Sequence, residues 1–250
     1  MRVISLVPSL TETLIDCGVE VVGRTRFCLH PQAAVASIPV VGGTKEANWT
    51  RCAALQPDLV LMDREENTLE MARSCPFQWF ATHITSADVV GRELNKIAEL
   101  VDNQGLTDLA AKWEELAAMP DLVCQHWKNI PGLIDKVGGP VLEGARVEYM
   151  IWQDPWMAIS RNTFIGSMLG KVGLGGQLAE HATPYPTLED ESLPRADTFY
   201  LFSSEPFPFD RYVDDLTQRG FNGAIVDGEY YSWFGTRSYR SLKQTMVEWA

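Results

Sequence analysis

The sequence has five cysteines, and no two of them stand in a CxxC pair. An odd number cannot close entirely into intramolecular disulfides, and scattered single cysteines are typical of a reducing compartment. No apolar run approaches the roughly 20 residues that cross a bilayer. The apolar start, Met1–Pro8, is too short for a secretory leader. The sequence therefore predicts a cytoplasmic protein without membrane insertion, or a periplasmic one if the chain is a trimmed mature form.

Positive charge is also scarce. The chain has 21 Lys and Arg residues against 33 Asp and Glu, which gives a formal net charge of -12. This charge repels the phosphates of nucleic acids and the anionic surface of membranes. Neither is expected as a partner, and the excess of acid is read first as a contribution to solubility.

Motifs of common enzymes are missing. The sequence has no GxSxG, no HExxH and no Walker loop, and its four histidines show no metal-ligand spacing. We therefore expect a non-catalytic protein that requires no cofactor and builds no metal site of its own. The alternative is an enzyme with acid or base groups drawn from the carboxylates Glu12, Glu65, Glu66, Asp154, Asp227 and Glu229.

Strands and helices alternate in both halves of the sequence. The β-branched run 2–7 ends at Pro8, and Ser9 with Glu12 forms an apparent capping box for a helix. Such alternation predicts an α/β fold of two Rossmann-like lobes with parallel sheets. The predicted parts are an N-terminal lobe over 1–84, linking helices and a connector over 85–144 and a C-terminal lobe over 145–250.

Aromatic residues concentrate in the segments that follow predicted strands, where ligands of parallel sheets gather. They are Trp152, Trp156, Phe207, Phe209, Trp233 and Phe234. Rings in loops suit a broad, flat ligand, although the same rings could pack the loops themselves. Arg237 could hold a ligand carboxylate or amide, or form an ordinary ion pair.

Several motifs occur in the order found in one family. The N-terminal ones are residues 2–12, Val41-Gly-Gly-Thr44 and Leu55-Gln-Pro-Asp-Leu-Val60; the C-terminal ones are Asp154-Pro-Trp-Met, Arg161-Asn-Thr-Phe164, Gly175-Gly176, Tyr185-Pro186 and residues 232–237. Together they resemble the substrate-binding proteins of ABC importers for cobalamin, haem and ferric siderophores, and the cobalamin branch above all. The resemblance implies two lobes joined by a long backbone helix, from about residue 107, with the ligand in a cleft between the lobes.

The resemblance also carries roles to single positions. It puts the stacking aromatic of one loop on Tyr185 and those of the last loop on Trp233 or Phe234, with Arg237 beside them. The tryptophan of the first lobe falls near Gly42 or Gly43. Of the two glutamates that dock on the permease, one falls on Glu191 and the other near Pro39, where no acid stands. An ABC permease is therefore a possible partner, but only the C-terminal lobe has the docking glutamate that the resemblance implies.

The function predicted is binding of a small metal chelate, cobalamin or a related corrinoid first, with haem and ferric siderophores as other possible ligands. A regulatory or scaffold protein with an empty cleft is a further alternative. Loop positions and resemblance together single out these candidate ligand-binding residues: Ser9, Thr11, Glu12, Arg26, Thr44, Glu66, Asn67, Trp152, Trp156, Tyr185, Glu205, Phe207, Asp227, Tyr230, Trp233, Phe234 and Arg237.

Overall fold

A computed structural model describes residues 1–124, 127–139 and 144–249. Within them the chain forms two compact units. The N-terminal unit contains Met1–Ile84, Asp88–Ala118 and Trp233–Tyr239. The C-terminal unit contains Thr85–Ala87 and the described parts of Met119–Ser232 and Arg240–Ala250. The three-part division predicted from the sequence stays a prediction.

The N-terminal unit is built on a five-stranded parallel sheet of order β3-β2-β1-β4-β5. Its strands are β1 (Arg2–Ser5), β2 (Glu20–Thr25), β3 (Val40–Gly42), β4 (Leu59–Asp63) and β5 (Trp79–Thr82). Its helices are α1 (Pro8–Asp16), α2 (Gln32–Val35), α3 (Trp49–Ala54), α4 (Leu69–Ser74), α5 (Ala87–Val101) and α6 (Gln104–Ala118). The central strands β1 and β4 are buried on both faces, as continuous apolar runs of a parallel sheet should be.

The C-terminal unit has a five-stranded mixed sheet of order β6-β10-β9-β7-β8. Its strands are β6 (Leu133–Val137), β7 (Arg146–Trp152), β8 (Met157–Ala158), β9 (Thr198–Ser203) and β10 (Gly223–Val226), and its helices include α7 (Phe164–Lys171), α8 (Val213–Gln218) and α9 (Gly228–Ser232). The three central strands are parallel, whereas β6 and β8 pair antiparallel at the two edges. The last helix, α10, spans Thr236–Trp249.

Three local expectations need correction or completion. Helix α1 begins at Pro8 after the N-cap Val7 and has no side-chain cap, so the predicted capping box at Ser9 is wrong. Proline suits the first helical position because its missing N–H would have no partner there. Helix α6, where the backbone helix was expected, ends at Ala118, and within 119–124 and 127–139 no α-helix follows. The segment read as a connector contributes strand β6 to the second sheet.

Candidate functional site

The segment Trp233–Tyr239 is held inside the N-terminal unit by hydrogen bonds to α1 and α6. The Trp113 indole N–H donates to the Gly235 carbonyl at 2.9 Å, and the Thr236 N–H donates to Thr13 Oγ1 at 3.1 Å. Gly235 has a φ of 102°, and a Cβ there would lie 2.0 Å from Thr13 Oγ1. The close approach therefore requires glycine. These contacts place Trp233 and Arg237 beside the beginning of α1.

Arg237 forms a two-pronged ion pair with Glu12. Its Nε and Nη2 donate to the two Glu12 carboxylate oxygens at 2.8 and 2.7 Å, and Glu12 is only 6% exposed. The same guanidinium lies 5.2 Å from the centre of the Trp233 ring, and the His30 ring meets that indole edge-on at 5.3 Å. The sequence left two roles open for Arg237, a contact with a ligand or an ordinary ion pair, and the structure shows the ion pair. The two hydrogen bonds to Glu12 thereby hold the planar guanidinium beside the indole ring of Trp233.

Two candidates at the start of α1 are buried among other residues. Thr11 is fully buried, and its hydroxyl lies 2.9 Å from Ser5 Oγ and 3.0 Å from Cys28 Sγ. Thr25 Oγ1 lies 3.1 Å from the same sulfur. Ser9 is 6% exposed, and its carbonyl accepts a bond from Thr13. This polar cluster ties the β2–α2 loop, which carries His30, to the end of β1. No pattern in the sequence indicates that Cys28 joins this cluster.

The remaining N-terminal candidates cross-link loops at the carboxyl edge of the first sheet. The Asn67 amide donates to the carbonyls of Leu6 and Thr44 at 3.1 and 2.8 Å. The Lys45 ammonium donates to the Glu66 carbonyl at 2.5 Å. Asn67 thus fastens three loops together through its own side chain, so its amide is committed to the frame of the site.

Of the two glycines where the resemblance puts a stacking tryptophan, Gly42 has no room for a side chain, and Gly43 lies against the side chain of Arg26. A Cβ on Gly42 would lie 2.4 Å from the Glu46 carbonyl, and a Cβ on Gly43 would lie 3.0 Å from the Arg26 guanidinium. Arg26 pairs with Glu46 at 2.6 Å and lies over the Phe27 ring at 4.9 Å. The exposed aromatic of this edge is accordingly Phe27, which the sequence analysis did not select.

We expect Glu66→Gln to stabilise the protein on the order of 1 kcal/mol at pH 7 and much less at pH 4. Burial raises the pKa of the Glu66 carboxyl, Lys45 acts against this, and Asp63 and Glu65 add to it. The Glu66 carboxyl therefore ionises at a lower pH in the unfolded chain than in the folded protein. The stability that the neutral carboxyl contributes is accordingly lost as pH rises above the ordinary pKa of 4.5. Urea unfolding at both pH values measures the difference. The exposed Glu70→Gln is the control, and an equal gain there would contradict the prediction.

In the C-terminal unit the loop aromatics divide into a core group and an exposed group. Trp156 is 3% exposed, stacks on Phe209 with ring planes 7° apart and donates its N–H to Asp190 at 2.7 Å. It belongs to the hydrophobic core of the unit. Trp152, Phe207 and Tyr212 instead form a continuous surface, here called the aromatic corner: Trp152 meets Phe207 at 5.6 Å and Phe207 meets Tyr212 at 5.2 Å. Trp152 and Tyr212 are each 40% exposed.

The carboxylates of the same edge are held in place by short hydrogen bonds. Glu205 accepts a bond from the Ser232 hydroxyl at 2.7 Å, and Asp227 accepts the backbone N–H groups of Glu229 and Tyr230 at the start of α9. Asp227 directly follows β10, and Glu205 lies two residues after the end of β9. With these carboxylates engaged in fixed contacts, the alternative of acid–base catalysis gains no support from the geometry.

Four predicted site residues remain, namely Tyr230, Tyr185, Phe234 and Glu191. The Tyr230 hydroxyl is 2.7 Å from Thr245 Oγ1, and burial raises the pKa of Tyr230 to about 12. Tyr230 lines a cavity of about 440 Å³ in this unit. Tyr185 is 36% exposed, Phe234 is 7% exposed within the N-terminal unit, and Glu191 is exposed on a short 3-10 helix.

Neither a metal-binding group nor a spanning helix is found in the described part of the chain. Across residues 1–124, 127–139 and 144–249 no cluster of three or more His, Cys, Asp or Glu side chains could hold a metal ion. Within the same ranges no helix combines the length and the apolar character needed to cross a membrane.

Comparison with known proteins finds one matching family. The family model described as periplasmic binding protein matches residues 3–124. The resemblance predicted from the sequence is thus confirmed, and so is the expectation of a binding protein rather than an enzyme at the level of this family. No curated protein sequence matches the chain.

Solved structures of binding proteins share the fold over nearly the whole chain. The periplasmic vitamin B12 binding protein BtuF of Vibrio cholerae has a TM-score of 0.65 and 14% identity, covering 98% of this chain and 95% of its own. A periplasmic heme binding protein from Pseudomonas aeruginosa has a TM-score of 0.70 and 16% identity, with 99% and 92% covered. S. aureus IsdE, complexed with heme, has a TM-score of 0.70 and 12% identity, with 99% and 98% covered. These likenesses confirm the predicted two-lobed α/β fold.

Proposed function

We propose that this protein binds a flat metal chelate without transforming it, and that the chelate is cobalamin or a related corrinoid. The observation that carries the proposal is the aromatic corner at the carboxyl edge of the second sheet, where Trp152 and Tyr212 are each 40% exposed. Trp233 in the N-terminal unit is a further candidate, although its side chain is 7% exposed. Exposed rings held by neighbouring side chains are the surfaces on which planar ligands stack.

The solved structures support a chelate of this general kind. Those with the same fold include a vitamin B12 binding protein and heme-binding proteins. For the choice of a corrinoid, the support is the set of motifs shared with the cobalamin branch. Against an identical binding mode stands the Gly42–Gly43 pair, because the space beside Gly43 is filled by Arg26.

The compartment proposed for this chain differs from the one in the names of the family and of several solved structures. The family and the solved structures above are named as periplasmic or complexed with heme. A cytosolic location for this chain stays a proposal that rests on its five free cysteines, and cell fractionation tests it. Docking on an ABC permease through Glu191 is likewise a proposal, since the matching N-terminal position is Pro39.

The direct test is titration of the purified protein with cobalamin, cobinamide and haemin, followed by absorbance and calorimetry. We expect saturable binding of a corrinoid at micromolar concentration. Trp152→Ala should weaken that binding by about 5- to 150-fold, because removal of an aromatic anchor from a binding site costs about 1 to 3 kcal/mol.

Trp79→Ala is the matched control. Trp79 is 43% exposed and lies at the beginning of β5, at the amino edge of the first sheet. We expect this variant to bind like the wild type, and thermal melts of both variants report whether they are folded. Absence of any spectral change or heat at micromolar chelate would refute the proposed function.

A further inference from the structure

The cavity of about 440 Å³ is lined by residues of the C-terminal unit alone. Three segments line it: residues 128–132, Tyr230 of α9 and the part of α10 between Ser241 and Glu248. One water takes about 30 Å³, so the space is far larger than a bridging water needs. Its volume lies within the range of ligand pockets, about 300 to 1,000 Å³. The cavity is therefore large enough for a small organic molecule.

One wall of the cavity is held in a fixed shape by hydrogen bonds. The Pro131 carbonyl accepts a bond from the Tyr231 hydroxyl at 2.7 Å, and Tyr231 is fully buried. The Gly132 carbonyl accepts the Asp227 N–H at 2.8 Å, and Ile130 is only 3% exposed. The wall is thus in place before a ligand arrives, and a preorganised site loses less conformational entropy on binding.

The buried polar side chains of the lining are Tyr230 and Thr245. They are 7% and 6% exposed, and their hydroxyl oxygens lie 2.7 Å apart. The Thr245 hydroxyl donates to the Ser241 carbonyl at 3.1 Å, so Tyr230 is the donor in the contact between the two hydroxyls. Both protons are thus directed to acceptors of the protein. A ligand group that meets these oxygens therefore has to be a donor, as a hydroxyl or an amide is.

The exposed part of the lining is polar, and its formal charges balance. It contains the amides of Asn129 and Gln244 and the charged residues Lys128 and Glu248, which are of opposite sign. Gln244 Nε2 donates to Glu248 Oε1 at 2.8 Å, so this carboxylate is already engaged. Burial raises the pKa of Tyr230 to about 12, so its hydroxyl is neutral near pH 7. A neutral ligand with several hydrogen-bonding groups accordingly suits this lining better than an ion.

We propose that this cavity is a second binding site of the protein and that it takes a small uncharged polyol, of the size of a mono- or disaccharide. Neighbouring hydroxyls of a polyol act as donors and acceptors at once, which matches a lining of hydroxyl, amide and carbonyl groups. The site goes beyond the proposed function, because its lining residues differ from those of the aromatic corner.

Titration of the whole protein with four small molecules tests the site. Glucose and sucrose are the uncharged polyols, citrate is the anion and putrescine is the cation. We expect at least one of the sugars to bind saturably with a Kd of about 1 mM or lower, measured by calorimetry and saturation-transfer NMR. Citrate and putrescine should bind at least about tenfold more weakly. If neither sugar binds, or if an ion binds as tightly as the sugars, the proposal is overturned.

Two variants of α10 locate the binding in the cavity. Gln244→Ala removes an exposed amide of the lining, and Thr245→Val removes a buried hydroxyl and keeps the shape; each should weaken sugar binding at least about threefold. Val247→Ala is the control, because Val247 is 70% exposed on the same helix and lies outside the lining. Thermal melts report whether the variants are folded. Because Gln244 is exposed, its variant stays informative if Thr245→Val is unstable.

Titration of the same variants with cobinamide keeps the two proposals apart. Weaker sugar binding with unchanged corrinoid binding in Gln244→Ala supports a separate polyol site. Sugar binding that Gln244→Ala and Thr245→Val leave unchanged, or that Val247→Ala weakens equally, overturns that site and leaves the proposed function standing. A protein that binds a sugar in this cavity but binds no corrinoid would refute the proposed function alone.

Discussion

Trp113→Ala is expected to lower the free energy of unfolding by about 4 kcal/mol. Trp113 is fully buried in α6, its ring meets Tyr239 at 6.0 Å and its N–H satisfies the Gly235 carbonyl at 2.9 Å. The substitution therefore leaves a large cavity and removes one of the two bonds to the Gly235 carbonyl, which keeps the bond from the Tyr239 N–H at 3.2 Å. Because the same contacts hold the segment of Trp233 and Arg237, chelate binding should weaken as well. Urea unfolding and ligand titration of the variant measure both effects.

Two further variants separate the causes. Trp113→Phe keeps most of the apolar volume and loses the hydrogen bond, so we expect a smaller loss of about 1 to 2 kcal/mol. Trp79→Ala removes an indole that is 43% exposed, and the expected loss is below about 1 kcal/mol. Equal losses for Trp113→Ala and Trp79→Ala would show that Trp113 does not anchor the segment.

His181→Ala is expected to destabilise the C-terminal unit by about 3 kcal/mol. His181 Nε2 lies 2.6 Å from Glu148 Oε1, and Glu148 is 1% exposed in strand β7. Among the residues that the structure describes, Glu148 Oε2 has no hydrogen-bond partner, and Arg195 Nη1 is 3.7 Å away from it. Removal of the imidazole leaves a buried carboxylate with that arginine alone, which is costly because water cannot replace the lost partner. Urea unfolding at pH 7 measures the loss.

A double-mutant cycle supplies the control. Glu148→Gln removes the charge but keeps the shape, so the pair His181→Ala with Glu148→Gln should lose less stability than the sum of the two single changes. Strict additivity would mean that the two side chains do not interact, and it would contradict the coupling expected from their 2.6 Å contact.

The regular elements were predictable where local pattern and burial agree. Strand β1 was expected from the β-branched run 2–7, and it spans Arg2–Ser5. Strand β6 was missed because its surroundings are rich in proline and glycine, and an edge strand with three exposed residues shows little apolar pattern. The order of the motifs along the chain was enough to identify the resemblance to the family, because that order reflects the whole fold.

The individual roles of the candidate residues depended on partners far away in sequence. Glu12 looked like part of a capping box, yet it pairs with Arg237, 225 positions later. Trp156 and Trp152 looked alike as loop aromatics, but Trp156 is 3% exposed and Trp152 is 40% exposed. Position along the chain cannot tell them apart, because burial depends on which other strands and loops cover a ring.

The sequence by itself determined the α/β class and the resemblance to periplasmic binding proteins. It also determined that the polar and aromatic candidate residues lie at the carboxyl edges of the sheets. These follow from hydrophobic periodicity, strand ends and collinear motifs, which are properties of neighbouring residues. Only the tertiary structure decided which rings of those loops stay exposed. It also decided that Arg237 pairs with Glu12 and that the Arg26 side chain lies beside Gly43. Each of these results from the packing of segments distant in sequence, where sterics and desolvation choose the partner.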